Sequence, residues 1–129
     1  MKISSAVPVL LVDRVEPTRD FFLRAGFEAI VEVPDGDKLG FAILQKDGVQ
    51  VMVETRGNSF EPPPMQALSR ESRRALVFIE VDDLEAILSA LAQATVAVPR
   101  HRTMYDADEL TYEEPGGNLV TFAKIDRAG

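Results

Sequence analysis

The 129-residue chain is 46% hydrophobic and carries a formal net charge of −7, which suits one compact domain with its own core. It has no cysteine, excluding disulfides and Cys-based zinc or redox chemistry and favouring a reducing, cytoplasmic setting. Acid outweighs base with no basic stripe, which argues against nucleic acid as a partner. No apolar run approaches a membrane span.

Met1 to Ser5 has a single lysine and none of the pattern of a leader peptide. The run from Val7 to Val12 is β-branched and aliphatic and predicts a strand. Asp13 and Glu16-Pro17 then open a helix with Phe21, Phe22 and Ala25 on one face, closed by Gly26. Strands are predicted over Phe27–Val33, Leu39–Lys46 and Val49–Glu54. Pro34-Asp35-Gly36-Asp37 turns the first pair, and Asp47-Gly48, a hairpin signal, turns the second. Residues 57–72, with Pro62-Pro63-Pro64 and little periodicity, form a linker with a short helical turn at Met65–Ser69.

The second half repeats the first. A strand over Ala75–Val81 leads to Asp82-Asp83, which caps a helix whose Leu84, Ile87, Leu88 and Leu91 make an apolar stripe. A short strand over Thr95–Val98 ends at Pro99. Asp108–Glu113 and Leu119–Lys124 follow, joined through Pro115-Gly116-Gly117-Asn118. Val12-Asp13 and Val81-Asp82 stand about 70 residues apart, and so do Asp47-Gly48 and Gly116-Gly117; two landmarks at one offset indicate a duplicated β-α-β-β-β module. Module one spans 1–56 and module two 73–129, within a single domain over 1–129 of α+β class.

On this pattern the chain resembles the vicinal oxygen chelate superfamily, which includes glyoxalase I, extradiol dioxygenases, and fosfomycin- and bleomycin-resistance proteins. "VPVLLVDRVEPTRDFFLRAGFE" is similar to the family's opening strand-helix segment, "VFIEVDDLEAIL" to its second, and "EEPGGNLVTFA" to its closing turn and strand. The resemblance implies two tandem modules whose sheets form a curved, cup-like surface, usually in a homodimer. It also places the family's metal-ligand positions on Val7, Met52, Leu76 and Thr121. Valine and leucine have no donor, methionine is soft, and one threonine hydroxyl is weak, so no metal or other cofactor is expected. The metal-free bleomycin-resistance branch, whose opening "PVL" resembles Pro8-Val9-Leu10, acts by sequestration.

Several residues carry both a bland and a functional reading. His101, the only histidine, lies in a predicted loop and lacks an identifiable orienting partner for a general base. Asp106, Asp108, Glu109, Glu113 and Glu114 make either a solvated strand edge or an acidic rim. Asp108, Leu110 and Tyr112 alternate with Glu109, Thr111 and Glu113, so the acids cannot share one face. Phe60, Tyr105 and Tyr112 lie beside turns and offer flat surfaces to a planar ligand, whereas Phe41 reads as core. Glu54 ends a strand, free to bond a ligand or to pair with Arg56 or Arg74. Glu80 shares a strand face with Leu76 and Phe78. Phosphate-loop and hydrolase-triad patterns are absent.

The expected ligand-binding set is therefore Phe60, Tyr105, Tyr112, Glu54, Glu80 and Asp108, with no catalytic residue. The expected function is non-catalytic sequestration of a small cationic or planar compound. Two alternatives stay open: a metal-dependent lyase or dioxygenase of the same superfamily with ligands elsewhere, Gln50 and the carboxylates being the remaining donors, and a non-catalytic regulatory module.

Overall fold

The computed structural model describes residues 1–127. The chain divides into two compact units, Met1–Arg73 and a second beginning at Arg74. The first contains β1 (Val9–Val12), α1 (Val15–Arg24), β2 (Glu28–Asp35), β3 (Lys38–Lys46), β4 (Val49–Thr55) and α2 (Pro63–Glu71). The second contains β5 (Leu76–Glu80), α3 (Leu84–Ala90), β6 (Thr95–Arg102), β7 (Ala107–Glu113) and β8 (Leu119–Ile125). Each unit is an open four-stranded sheet, ordered β1-β4-β3-β2 and β5-β8-β7-β6. The fold is α+β, two tandem β-α-β-β-β modules.

The duplication extends to hydrogen-bond register. Val9 pairs with Met52 in the parallel β1–β4 ladder, and Phe78 pairs with Thr121 in the parallel β5–β8 ladder. The β3–β4 turn is tight: Lys46 pairs with Val49 around Asp47 and Gly48, both at positive φ (50° and 77°), the backbone a two-residue type I′ hairpin requires. Its counterpart is wider. Glu113 pairs with Leu119, leaving a loop closed by Glu114 N donating to Asn118 O (2.8 Å) and Gly117 N to Glu114 O (2.8 Å). Asn118, 1% exposed, accepts from Ala75 N through Oδ1 (2.8 Å). The Pro-Gly-Gly-Asn stretch thus ties the loop to the start of β5.

In the first unit, α1 packs on β3, β4 and β2. Phe21, Phe22, Leu10, Val12, Leu44 and Val53 are fully buried there. Phe22 makes edge contacts with Phe21 and Phe27 at centroid distances of 5.2 and 5.3 Å. Gly26, at φ +97°, lets Phe27 N reach back to Phe22 O (3.0 Å) and end the helix. In the second unit Asp83 caps α3 by accepting from Ala86 N (3.1 Å), as its position suggests. Leu84, Ile87 and Leu91 are buried, α3 contacts β8, and the core includes Leu110, Tyr112, Val120 and Phe122.

Three local expectations change. The helix in the 57–72 segment is a full Pro63–Glu71 rather than a turn, with proline in its first turn where no N–H is needed. β6 runs through Pro99 to Arg102. It is an edge strand, and its register with β7 is irregular between Val98 and His101, so the missing proline donor is tolerated. His101 accordingly lies in a strand opposite Glu109, not in a loop.

Candidate functional site

In both sheets one face carries the helix and the core, and the other is open. On sheet 1, Val51 and Val53 of β4 are buried while Gln50, Met52 and Glu54 alternate onto the open side. Phe41 pairs with Glu54, Ile43 with Met52 and Gln45 with Gln50, completing a half-buried strip in which apolar Phe41, Ile43 and Met52 lie among polar side chains. Gln50 Nε2 donates to Gln45 Oε1 (2.8 Å). On sheet 2 the side away from α3, open at the exposed Leu76, Phe78 and Glu80 of β5, also carries Thr121 of β8 and Glu109 and Thr111 of β7, all three buried. Leu76 and Phe78 are 63% and 48% exposed, a large apolar surface for two neighbouring side chains.

The six sequence-derived candidates separate on this division. Glu54 lies on the open face of sheet 1. Its partner is neither Arg56 nor Arg74: Asn58 Nδ2 donates to Glu54 Oε1 (2.8 Å), while Arg56 pairs with Asp13 and Arg74 with Glu113. Asn58, 3% exposed, also donates to Thr55 O (2.9 Å) and accepts from Phe60 N (2.9 Å), so it orients the carboxylate while shaping the loop after β4. Phe60 is half-exposed in the loop after β4. Its ring occupies the space a Cβ on Gly40 would need, at 2.9 Å, and Gly40 alternates with buried Ala42 and Leu44. Phe60 therefore packs part of its ring over this glycine.

Tyr112 is corrected. It is 2% exposed and meets Phe122 edge-on at 6.0 Å, with desolvation pushing its phenol above the ordinary tyrosine pKa. A stacking platform must present a bare face, and this ring is core. Asp108 shares its side of β7. Arg100 binds Asp108 with two bonds of 3.0 and 2.7 Å and also reaches Glu85 of α3 at 2.8 Å. That guanidinium holds the Asp108 carboxyl below its usual range. Asp108 is thus a helix-side ion-pair residue, removed from the open face by strand alternation.

Glu80 and Tyr105 stay beside the open face of sheet 2. Arg127 grips Glu80 through Nη2 to Oε1 (2.7 Å) and Nε to Oε2 (3.2 Å). The pair borders a shallow depression with Val81, Asp82, Lys124 and Ile125. Tyr105, 49% exposed, donates its hydroxyl to Glu109 Oε1. This bond, with burial adding to it, raises the phenol pKa, because losing the proton would place two anions together. The β6–β7 loop fixes the pair. Asp106, at φ +58°, closes a turn to Thr103 O (3.2 Å), Thr103 Oγ1 accepts from Ala107 N (3.1 Å), and Arg102 binds Asp126 (3.1 Å). Asparagine and aspartate tolerate that left-handed conformation better than most residues.

Residues that sequence reasoning passed over are Phe41 and Phe78, read as plain core or strand, and Glu109, read as one acid among five. The available signal was alternation: Phe78 stands between Leu76 and Glu80 on one face, and Glu109 is out of phase with Asp108.

A sequence model of the Glyoxalase/Bleomycin resistance protein/Dioxygenase superfamily matches residues 3–122. The chain belongs to this superfamily. No curated protein sequence matches it. Among solved structures similar to this superfamily member is TioX from Micromonospora sp. ML1, with 20% identity and a TM-score of 0.73, covering 95% of this chain and 99% of that one. A glyoxalase/bleomycin resistance protein/dioxygenase from Nocardioides shares 17% identity at a TM-score of 0.73, covering 100% and 87%. A bleomycin-binding protein complexed with bleomycin shares 16% identity at 0.65, covering 96% and 100%. At these identities the likeness is one of fold.

The positions that the family resemblance implies for metal ligands, Val7, Met52, Leu76 and Thr121, do not fit a divalent metal. Three lack a nitrogen or oxygen donor, and the fourth, Thr121, bonds its hydroxyl to Thr111 Oγ1 (2.6 Å). Among the described residues no three His, Asp or Glu side chains converge as metal ligands would.

Proposed function

We propose that this protein binds a small planar or cationic molecule and sequesters it without making or breaking a bond, in the manner of the bleomycin-resistance branch. The observation that carries this reading is the donor chemistry at Val7, Met52, Leu76 and Thr121, which offers no divalent metal a ligand set. The sheet faces turned away from the helices support it: they set apolar side chains such as Met52, Phe41, Leu76 and Phe78 beside polar groups held by hydrogen bonds, a mixture that small-molecule sites use. Glu54 and Glu80 are the sequence-derived acids retained as ligand contacts, with Tyr105 as the retained aromatic. Residues 1–129 work as a single binding domain. The protein acts in the cytoplasm as a homodimer whose partner covers exposed apolar residues such as Leu76, Phe78 and Val98. If the compound is toxic, its capture confers resistance.

The experiment is a thermal-shift screen of planar cationic, neutral and anionic compounds against protein purified without chelator, with bound compound recovered and weighed by mass spectrometry. Stabilisation by planar compounds returned unchanged is expected. A product of altered mass, or one equivalent of metal required for activity, would establish the enzymatic alternative instead.

A further inference from the structure

We propose that Glu109, seated beneath Tyr105 on the open face of sheet 2, is the carboxylate that receives the cationic nitrogen of the ligand, an ammonium or amidinium bearing N–H donors. This rests on the small-molecule reading above and names the residue and ligand group responsible. Three observations converge. Glu109 is 7% exposed, and a carboxylate so enclosed needs compensating charge or several donors. The acids around it have partners: Asp108 holds Arg100, Glu113 holds Arg74, and Asp106 and Asp126 flank Arg102. Among the described residues Glu109 forms no ion pair, and its side chain is bonded by the neutral Tyr105 hydroxyl.

The facing residue forms no ion pair with it either. His101 pairs with Glu109 across β6–β7, but its Nδ1 donates to Pro99 O (2.8 Å). The surroundings suit an organic cation. Tyr105 leaves about half its surface open beside the carboxylate, offering a ring for the planar body of a ligand whose charged end meets Glu109. Thr111 and Thr121, hydrogen-bonded to each other one step along the same face, continue the polar line.

The test is calorimetric titration of the intact protein with benzamidine hydrochloride and with benzamide, two probes of one shape that differ in charge. A charge-assisted bond predicts a preference for benzamidinium of about tenfold or more. Glu109→Gln should erase that preference. Asp108→Asn, the same charge change on the opposite face, should leave it. Equal losses in both variants would reduce the effect to bulk electrostatics and overturn the proposal, as would equal binding of the two probes by the unmodified protein. Nuclear magnetic resonance keeps the test open should Glu109→Gln fold poorly: benzamidinium should move the amide signals of Tyr105, Glu109 and Thr111 in the unmodified protein, and shifts confined elsewhere overturn the assignment. If neither probe nor any planar compound binds, the small-molecule reading itself falls.

Discussion

Replacing Tyr112 with alanine separates the core reading of this ring from a ligand-platform reading. The side chain is 2% exposed and makes an edge contact with Phe122, so truncation removes an enclosed ring and leaves a cavity between β7 and β8. Large-to-small changes of this kind cost about 3–5 kcal/mol, because the surroundings relax only in part. For a chain of this length, that corresponds to a fall in melting temperature of about 10–20 °C. The companion variant Tyr105→Ala removes a half-exposed ring and one hydrogen bond, and should cost about 1 kcal/mol. Far-ultraviolet circular dichroism during guanidinium unfolding measures both. A Tyr112→Ala cost near that of Tyr105→Ala would mean the ring is not packed as described and would refute the reasoning.

Asn118→Ala should destabilise by about 1–3 kcal/mol, since the part-buried Ala75 N loses its acceptor and a buried amide is removed; a neutral result in chemical denaturation would count against the loop's role in holding β5. Tyr105 and Tyr112 both have folded-state pKa values raised above the ordinary 10.0. Their contribution to stability should therefore be complete below pH 10 and disappear as pH rises through the raised values. Spectrophotometric titration should show tyrosinate appearing later than in the unfolded chain, with the Tyr105 component absent in Tyr105→Phe. Light scattering at micromolar concentration should return twice the chain mass; a monomer would remove the partner from the account of Leu76 and Phe78.

Much of the architecture was legible in the linear pattern. Strand alternation, helical spacing at Phe21 and Phe22 or Leu84 and Ile87, and turns such as Asp47-Gly48 act over a few residues, so they predict element order without knowledge of the whole. The repeat offset is matched in the ladders, where Val9 pairs with Met52 and Phe78 with Thr121. Likewise, Asp83 could be read as a cap because its bond to Ala86 is local.

Facing belonged to the tertiary structure alone. The sequence showed that Asp108 and Tyr112 oppose Glu109 and Thr111, but both sides of β7 mix polar with apolar residues, and alternation does not say which side meets the helix. Packing against Phe122, together with the Asp108–Arg100–Glu85 link to α3, places Tyr112 and Asp108 on the covered side and leaves Glu109 on the open one. The contact of Phe60 was hidden for a similar reason: Gly40, twenty residues earlier, leaves the space its ring fills. The sequence determined which residues alternate; contacts between distant segments decided which face each set occupies, because burial is a property of the neighbours a side chain meets.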